Sequence, residues 1–467
     1  MSDNPAAHGR SNLELGAIFK AYDVRGVVPD QLDAALARAV GNAFVQVTGA
    51  DSVVVGHDMR PSSPDLADAF AQGATQAGAD VVLIGLASTD ELYFASGHLG
   101  MAGAMFTASH NPARYNGIKM CRAHAVPVGE QTGLGDIRDL VAAGTEHVAD
   151  RAGTVSHRDV LADYASYLLD LVPVTGRRLT VVVDAGNGMA GLTAPAVLER
   201  LDVDVVPLYF ELDGTFPNHE ANPIEPANLV DLQAKVRETR ADIGLAFDGD
   251  ADRCFLVDER GELVSPSVLT GLIAARELER EPGSAVIHNL ITSRSVPEIV
   301  AEKGGRPVRT RVGHSFIKAT MAETDAVFGG EHSGHFYFRD FWRADSGMLA
   351  ALHALATLAG SDRPLSEVLA PYSRHAQSGE INSEVADQAA VLERLEEAWG
   401  GRDGVTVDHL DGLSVLADDW WFNVRASNTE PLLRLNVEGA DAATMARVRD
   451  EVLATIRSDA GRTGSEG

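Results

Sequence analysis

Three times along this chain, a set of three short β-branched runs is separated by Ala- and Leu-rich stretches of helical length. Each set ends in a polar loop. The first set is Val53–Val55, Val81–Leu86 and Ala102–Phe106; the second is Leu179–Val183, Val203–Phe210 and Ile243–Phe247; the third is Ala285–Ile287, Arg306–Arg311 and Ala326–Phe328. Runs of this length and composition read as buried strands. The intervening Ser63–Ala77, Gly191–Leu201 and Thr292–Lys303 read as helices. Strands alternating with helices predict a mostly parallel sheet, and three such sets predict three similar α/β domains. A length of 467 residues suits this division, because single cores stop growing near ~250–300 residues.

The remainder reads differently. Glu380–Val385, Leu413–Leu416, Trp421–Ala426 and Leu432–Val437 are strand-like, while Gln388–Trp399 and Ala442–Arg457 have helical spacing. This predicts a small α+β domain, followed by a polar tail, Ser458–Gly467, with the composition of a disordered segment. The expected domains are 1–156, 157–262, 263–374 and 375–467.

The third strand of each set runs into Thr107–Pro112, Asp248–Arg253 or Gly329–His335. Ligands of open α/β sheets bind beyond the carboxyl ends of the strands, so three equivalent loops can meet at one cleft. Composition limits what that cleft takes. A net charge of −28 argues against a nucleic-acid partner, but not against a small phosphorylated ligand held by a local cluster of cations. No stretch approaches the roughly 18 uninterrupted apolar residues of a membrane span. The opening MSDNPAAHGR has no apolar h-region, and Cys121 and Cys254 are the only cysteines; both points lead to the expectation of a reducing cytoplasm. Only Lys20, Lys119, Lys235, Lys303 and Lys318 are lysines among 39 basic residues, so a lysine inside a motif hints that an ammonium is needed there.

Four loops carry chemistry. In Asp248-Gly249-Asp250-Ala251-Asp252-Arg253, three carboxylates at alternate positions can converge on a hard cation such as Mg²⁺. With Glu259 the segment also approaches an EF-hand Ca²⁺ loop, but Arg253 stands where that loop needs glycine, and the flanks are strand-like. In Thr107-Ala108-Ser109-His110-Asn111-Pro112 a serine hydroxyl follows a buried strand and projects towards the cleft. Such a serine is either a nucleophile awaiting activation or a capping residue in a strand–helix turn. In Gly330-Glu331-His332-Ser333-Gly334-His335, a carboxylate, a hydroxyl and an imidazole suit sugar hydroxyls and proton movement, and Gly313-His314-Ser315 adds a polar turn. Arg425-Ala426-Ser427-Asn428-Thr429-Glu430-Pro431 offers a guanidinium, hydroxyls and turn amides to a phosphate dianion. Tyr22-Asp23-Val24-Arg25-Gly26 supplies one more arginine.

Taken together, TASHNP, DGDADR, GEHSGH and RASNTEP occur in the order found in the α-D-phosphohexomutases. From about Ile18 to Arg457 the chain resembles their bacterial phosphomannomutase/phosphoglucomutase group. The resemblance implies a heart-shaped, four-domain α/β protein, with three similar mixed α/β domains and a C-terminal domain like the TATA-binding-protein fold. It implies that Ser109 carries a phosphate and that Asp248, Asp250 and Asp252, with the phosphoserine, hold Mg²⁺. Glu331 and Ser333 would read sugar hydroxyls, and Arg425, Ser427, Asn428 and Thr429 would clamp the distal phosphate. Tyr22, Arg25, His110, Lys119, Arg253, His314 and His335 fall on active-site positions, Lys119 and His335 being the candidates for proton transfer. The implied reaction interconverts hexose 1-phosphate and hexose 6-phosphate through a hexose 1,6-bisphosphate, with glucose or mannose 1,6-bisphosphate as activator. The protein would be a monomer or homodimer. His332 in the sugar loop favours mannose, with glucose as a second substrate, over a glucosamine-type or glucose-only mutase. His288-Asn289-Leu290-Ile291-Thr292 lacks a lysine that some relatives carry there.

Overall fold

The computed structural model describes residues 12–426 and 432–457, leaving aside the side chains of Asn12, His314 and Ser315. The predicted tail beyond Arg457 and the Ser427–Pro431 part of the fourth loop lie outside the described residues.

Each predicted set forms one sheet, and the strand order is the same in all three. In the second sheet Val203–Leu208, Leu179–Asp184 and Ile243–Phe247 run parallel, and Cys254–Val257 pairs antiparallel to the last of them. The third sheet repeats this with Arg306–Thr310, Ala285–Asn289, Phe328–Gly330 and the antiparallel Phe336–Phe338. The first does so with Asp80–Leu86, Ser52–His57, Ala102–Phe106 and the antiparallel Tyr115–Arg122, then adds Asp23–Val27 and Val155–His157 at its edges. The sheets are therefore mixed, each with a parallel centre. Every polar loop is the turn between the third strand and its antiparallel partner.

Ala326–Phe328, expected as a strand, is shifted to Phe328–Gly330. The two glycines have low strand propensity, yet Gly329 and Gly330 pair with Ile287 and His288 on one side and with Tyr337 and Phe336 on the other. The expected helix 292–303 begins only at Ser295, after a turn.

The fourth unit is one antiparallel sheet in the order Ala376–Glu384, Leu432–Gly439, Trp420–Ala426, Leu413–Leu416 and Thr406–Asp408. Helices Gln388–Trp399 and Ala442–Arg457 bury Val391, Leu395, Val448, Val452 and Ile456 with Phe422 in one apolar cluster. Trp399 stands edge-on to Trp420 and Phe422, with ring centroids 5.2 and 5.1 Å apart. By contrast, the first three units share a core: Val54, Phe94 and Met105 belong to the same cluster as Leu168, Val181, Leu245, Phe328 and Leu352. Helix Gly347–Ala359 is buried along nearly its whole length, which explains an apolar run too uniform to show an amphipathic stripe. That shared core fixes the three loops relative to one another. Among the described residues, no helix is long and apolar enough to cross a membrane.

Candidate active site

The first loop holds Ser109 in the left-handed region, at φ 50°. Thr107 Oγ1 accepts the Ser109 N–H at 2.9 Å, and the chain then turns into strand Tyr115–Arg122 rather than into a helix. Ser109 is therefore not a helix cap. Its hydroxyl donates to Asp248 Oδ2 of the second unit at 2.6 Å and lies 3.2 Å from His110 Nδ1. The two loops touch backbone to backbone. A Cβ on Gly249 would lie 2.4 Å from the Ser109 carbonyl oxygen, so glycine is required at that position.

In the second loop, Asp248, Asp250 and Asp252 are fully buried, with carboxylate oxygens within 4.8 Å of one another. The flanks are strands Ile243–Phe247 and Cys254–Val257, which excludes the helix–loop–helix of an EF-hand. Three buried carboxylates repel, and cations answer them. Lys119 Nζ bridges Asp250 Oδ2 and Asp252 Oδ2 at 2.7 and 2.6 Å, and Arg253 Nε donates to Asp248 Oδ2 at 2.9 Å. Thr89, which the sequence reading passed over, donates its hydroxyl to Asp250 Oδ2 at 2.6 Å. Burial pushes Asp248 up to about 8. Burial acts the same way on Asp250, but the Lys119 ammonium outweighs it and holds that carboxyl far below its usual range. For Lys119 burial favours the neutral amine, and Asp250 and Asp252 outweigh it, so its pKa rises. His110 is lowered by burial and by Arg253 and Arg25 beside it, which makes it a neutral imidazole next to the serine. Asp250 Oδ1 and Asp252 Oδ1 are buried without a hydrogen-bond partner among the described residues.

The third loop joins the second through a bridge between Arg253 and His335. His335 Nε2 lies 3.6 Å from Asp252 Oδ1, and its Nδ1 lies 2.9 Å from Ser333 Oγ. Glu331 is held from three sides. Its Oε1 accepts the Gly313 N–H at 3.1 Å and Asn289 Nδ2 at 3.3 Å, while Oε2 accepts the Tyr337 hydroxyl at 2.8 Å. Asn289 lies on the segment that lacks the lysine, and that segment contributes here by bracing Glu331. His332 turns towards helix Pro266–Arg280, with Nδ1 3.5 Å from Ser267 Oγ, and burial lowers its pKa.

The first unit reaches the third through Tyr22: a Cβ on Gly313, at φ 131°, would lie 2.5 Å from the Tyr22 hydroxyl. Arg25 contacts Asn111 Oδ1 and pairs with Asp23 Oδ2 at 2.6 Å. In the fourth unit Arg425 Nη2 pairs with Glu380 Oε2 at 2.9 Å, and Arg434 approaches the same carboxylate at 3.5 Å. Ser427, Asn428 and Thr429 lie outside the described residues, as does the His314 side chain. The structure thus brings together Ser109, His110, Lys119, the three aspartates, Arg253, Glu331, Ser333 and His335. The sequence reading missed Thr89, Asn289, Tyr337 and Arg60. It also missed Lys318, whose ammonium pairs with Asp345 at 2.7 Å and lies 4.2 Å from the Tyr93 ring centroid. Lysine scarcity was the one signal pointing to Lys318.

Comparisons with known proteins agree over nearly all of the chain. Residues 16–147, 162–261 and 266–375 match the alpha/beta/alpha domains I, II and III of phosphoglucomutase/phosphomannomutase, and residues 380–455 match its C-terminal domain. A Xanthomonas campestris protein named "Phosphohexose mutases" is 41% identical over 94% of this chain and 98% of its own length. An Escherichia coli phosphomannomutase is 39% identical over 94% of this chain and 99% of its own. The crystal structure of a phosphoglucomutase/phosphomannomutase family protein from Burkholderia thailandensis superposes with a TM-score of 0.86 at 34% identity, covering 95% of this chain and 98% of that one.

Proposed function

The chain belongs to the phosphoglucomutase/phosphomannomutase family and is a mutase, and on that premise we propose that it is a phosphomannomutase that also accepts glucose phosphates. The observation that carries the mechanism is the 2.6 Å hydrogen bond from Ser109 Oγ to Asp248 Oδ2, made inside a cluster where Lys119 and Arg253 balance three buried carboxylates. In this reading Ser109 carries the phosphoryl group.

The two buried oxygens of Asp250 and Asp252 that accept no hydrogen bond among the described residues, together with an all-carboxylate donor set, fit a hard divalent cation. Asp248, Asp250, Asp252 and an oxygen of the Ser109 phosphate would hold Mg²⁺, which when bound draws off charge developing on the transferred phosphoryl group. Phosphoryl transfer depends mainly on positioning and charge neutralisation. Arg253, anchored on Asp248, and Arg25, anchored on Asp23, flank Ser109 with fixed positive charge. The double ion pair of Lys119 supports a role as cation rather than as base, and we give the proton of the attacking sugar hydroxyl to His335. When the phosphoryl group leaves, Ser109 Oγ takes up a proton, which balances the one His335 removes from the sugar, and the restored hydroxyl donates a hydrogen bond to Asp248, the contact seen here. Glu331, braced by Asn289, Gly313 and Tyr337, and Ser333 read the sugar hydroxyls, while Tyr22 closes the cleft near them and His314 joins the residues that bind substrate.

Arg425, with Ser427, Asn428 and Thr429, takes the phosphate that does not react. A dianion arriving there competes with Glu380 for the guanidinium. A clamp that reads only a phosphate accepts the sugar in both orientations, as a mutase requires. The hexose 1,6-bisphosphate turns over between two transfers, and glucose 1,6-bisphosphate primes Ser109. The name carried by the Escherichia coli relative supports mannose, and the free, buried Cys121 and Cys254 support a cytoplasmic setting.

Phosphorus NMR tests this reading. Protein with Mg²⁺ and catalytic glucose 1,6-bisphosphate is given mannose 1-phosphate in one tube and glucosamine 1-phosphate in another. Mannose 6-phosphate should grow in the first without inorganic phosphate. Conversion of the glucosamine compound alone would overturn the sugar assignment, and inorganic phosphate alone would overturn the mutase assignment.

A further inference from the structure

Arg60 is the largest buried charged side chain of the first unit and belongs to none of the four loops. It follows strand Ser52–His57 and reaches beneath the Ser109 loop. An arginine carries five N–H donors in a rigid fork, and every nitrogen of this one is engaged. Nε pairs with Asp58 Oδ2 at 3.2 Å. Nη1 donates to the carbonyls of Pro112 and Tyr115, both at 2.9 Å. Nη2 donates to the carbonyls of Ser109 at 2.9 Å and Asn111 at 2.6 Å. Asp58 is itself held by the Ser63 hydroxyl at 2.6 Å and the Arg60 N–H at 3.0 Å. From the second unit, the Phe216 ring centroid lies 5.1 Å from the guanidinium carbon.

A segment outside regular structure has backbone carbonyls that need partners. Here four carbonyls from Ser109 to Tyr115 point inward to one cation. Ser109 sits at positive φ, a conformation a serine keeps only when its surroundings over-determine it. Its carbonyl is held by Arg60 while its hydroxyl donates to Asp248. We propose that Arg60 is a positioning residue for phosphoryl transfer: it pins the Ser109 loop by its backbone carbonyls so that Oγ stays at the carboxylate cluster through both halves of the reaction. The proposal rests on Ser109 being the phosphoryl carrier. It is otherwise independent of the sugar, since every hydrogen bond of the Arg60 guanidinium goes to Asp58 or to a backbone carbonyl of the loop.

The test uses the full-length chain with Arg60→Lys, which keeps the charge but has three donors on one nitrogen, and Asp58→Asn, which loosens the anchor while leaving the guanidinium in place. Four quantities are measured: thermal midpoint, kcat and KM for mannose 1-phosphate, the rate of Ser109 phosphorylation by glucose 1,6-bisphosphate from intact mass, and hydrogen exchange of the peptide covering 107–116. Arg60→Lys should lower kcat and the phosphorylation rate together by at least 30-fold, with KM within threefold and faster exchange in 107–116. Asp58→Asn should show a smaller loss of the same kind. A folded Arg60→Lys with kcat and exchange unchanged, or a loss confined to KM, overturns the proposal. If Arg60→Lys shows no cooperative melt, an Asp58→Asn variant with unaltered kcat and exchange overturns it as well. Failure of the function is distinguishable: an unmodified protein that never gains a phosphate on Ser109 refutes the mutase reading, and exchange of 107–116 then judges the clamp by itself.

Discussion

Ser109 shows how little of a catalytic side chain's behaviour lies in its own chemistry. A serine hydroxyl is a weak nucleophile, and this one sits in a left-handed backbone conformation between a carboxylate and a neutral imidazole. Replacing Ser109 by Ala should abolish mutase turnover, by at least about 1000-fold, because no other hydroxyl among the described residues shares that contact with Asp248. Stability should fall by only about 1 kcal/mol, the net worth of one buried hydrogen bond. A coupled mutase assay beside a thermal melt checks both halves, and turnover retained by Ser109→Ala removes the residue from the mechanism. At this scale the aspartates, the serine and Lys119 were readable because their types and spacing are chemically unusual. Arg60, Thr89 and Asn289 were not. Each acts through a partner distant in sequence, and an arginine after a strand or a threonine opening a helix carries no local mark of that partner.

The helix Thr89–Leu99 concentrates an element-scale tension. Ser88 caps it by accepting the Glu91 N–H at 3.2 Å. Glu91 is itself buried, and its Oε2 has no partner among the described residues. Burial raises its pKa to about 8, with Asp90 and Asp159 adding to the rise. A carboxyl raised in the folded state stabilises the fold when protonated. That contribution is complete below the unfolded value near 4.5 and is lost as pH rises through 8. Glu91→Gln should therefore melt higher than the unaltered chain at pH 8.5, by roughly 2–4 kcal/mol of stability, and should differ little at pH 4.5. Melting curves at the two pH values decide it; a variant destabilised at both would mean that the carboxylate is paired. Elements of this kind were the most legible part of the fold. Ala102–Phe106, Ile243–Phe247, Leu413–Leu416, Gln388–Trp399 and Ala442–Arg457 have the ends that their composition suggests. The short Thr406–Asp408 strand went unread because three residues, one of them an aspartate, carry no periodicity.

For the whole molecule, the attachment of the fourth unit matters most. Arg294 of the third unit donates to the carbonyls of Asp418, Ala417 and Trp420, and its N–H reaches Glu438 Oε1 at 3.0 Å. Because Arg425 rides on that unit, Arg294→Ala should raise KM for sugar phosphates about five- to tenfold while kcat stays within threefold. In calorimetry the fourth unit should melt earlier than the rest. A single unchanged transition with unaltered KM would show that Arg294 does not hold the clamp in place.

What the sequence determined by itself was the set of parts. Hydrophobic runs of strand length, helical spacing between them and chemically conspicuous loops are properties of neighbouring residues, and short-range physics writes them into the chain. Only the tertiary structure decided which charges meet. Lys119 answers Asp250 and Asp252 across 131 and 133 residues, and Ser109 reaches Asp248 across 139. A buried charge is tolerable only where a partner neutralises it, and for these residues that partner is supplied by a different domain, through a shared core that no local pattern records.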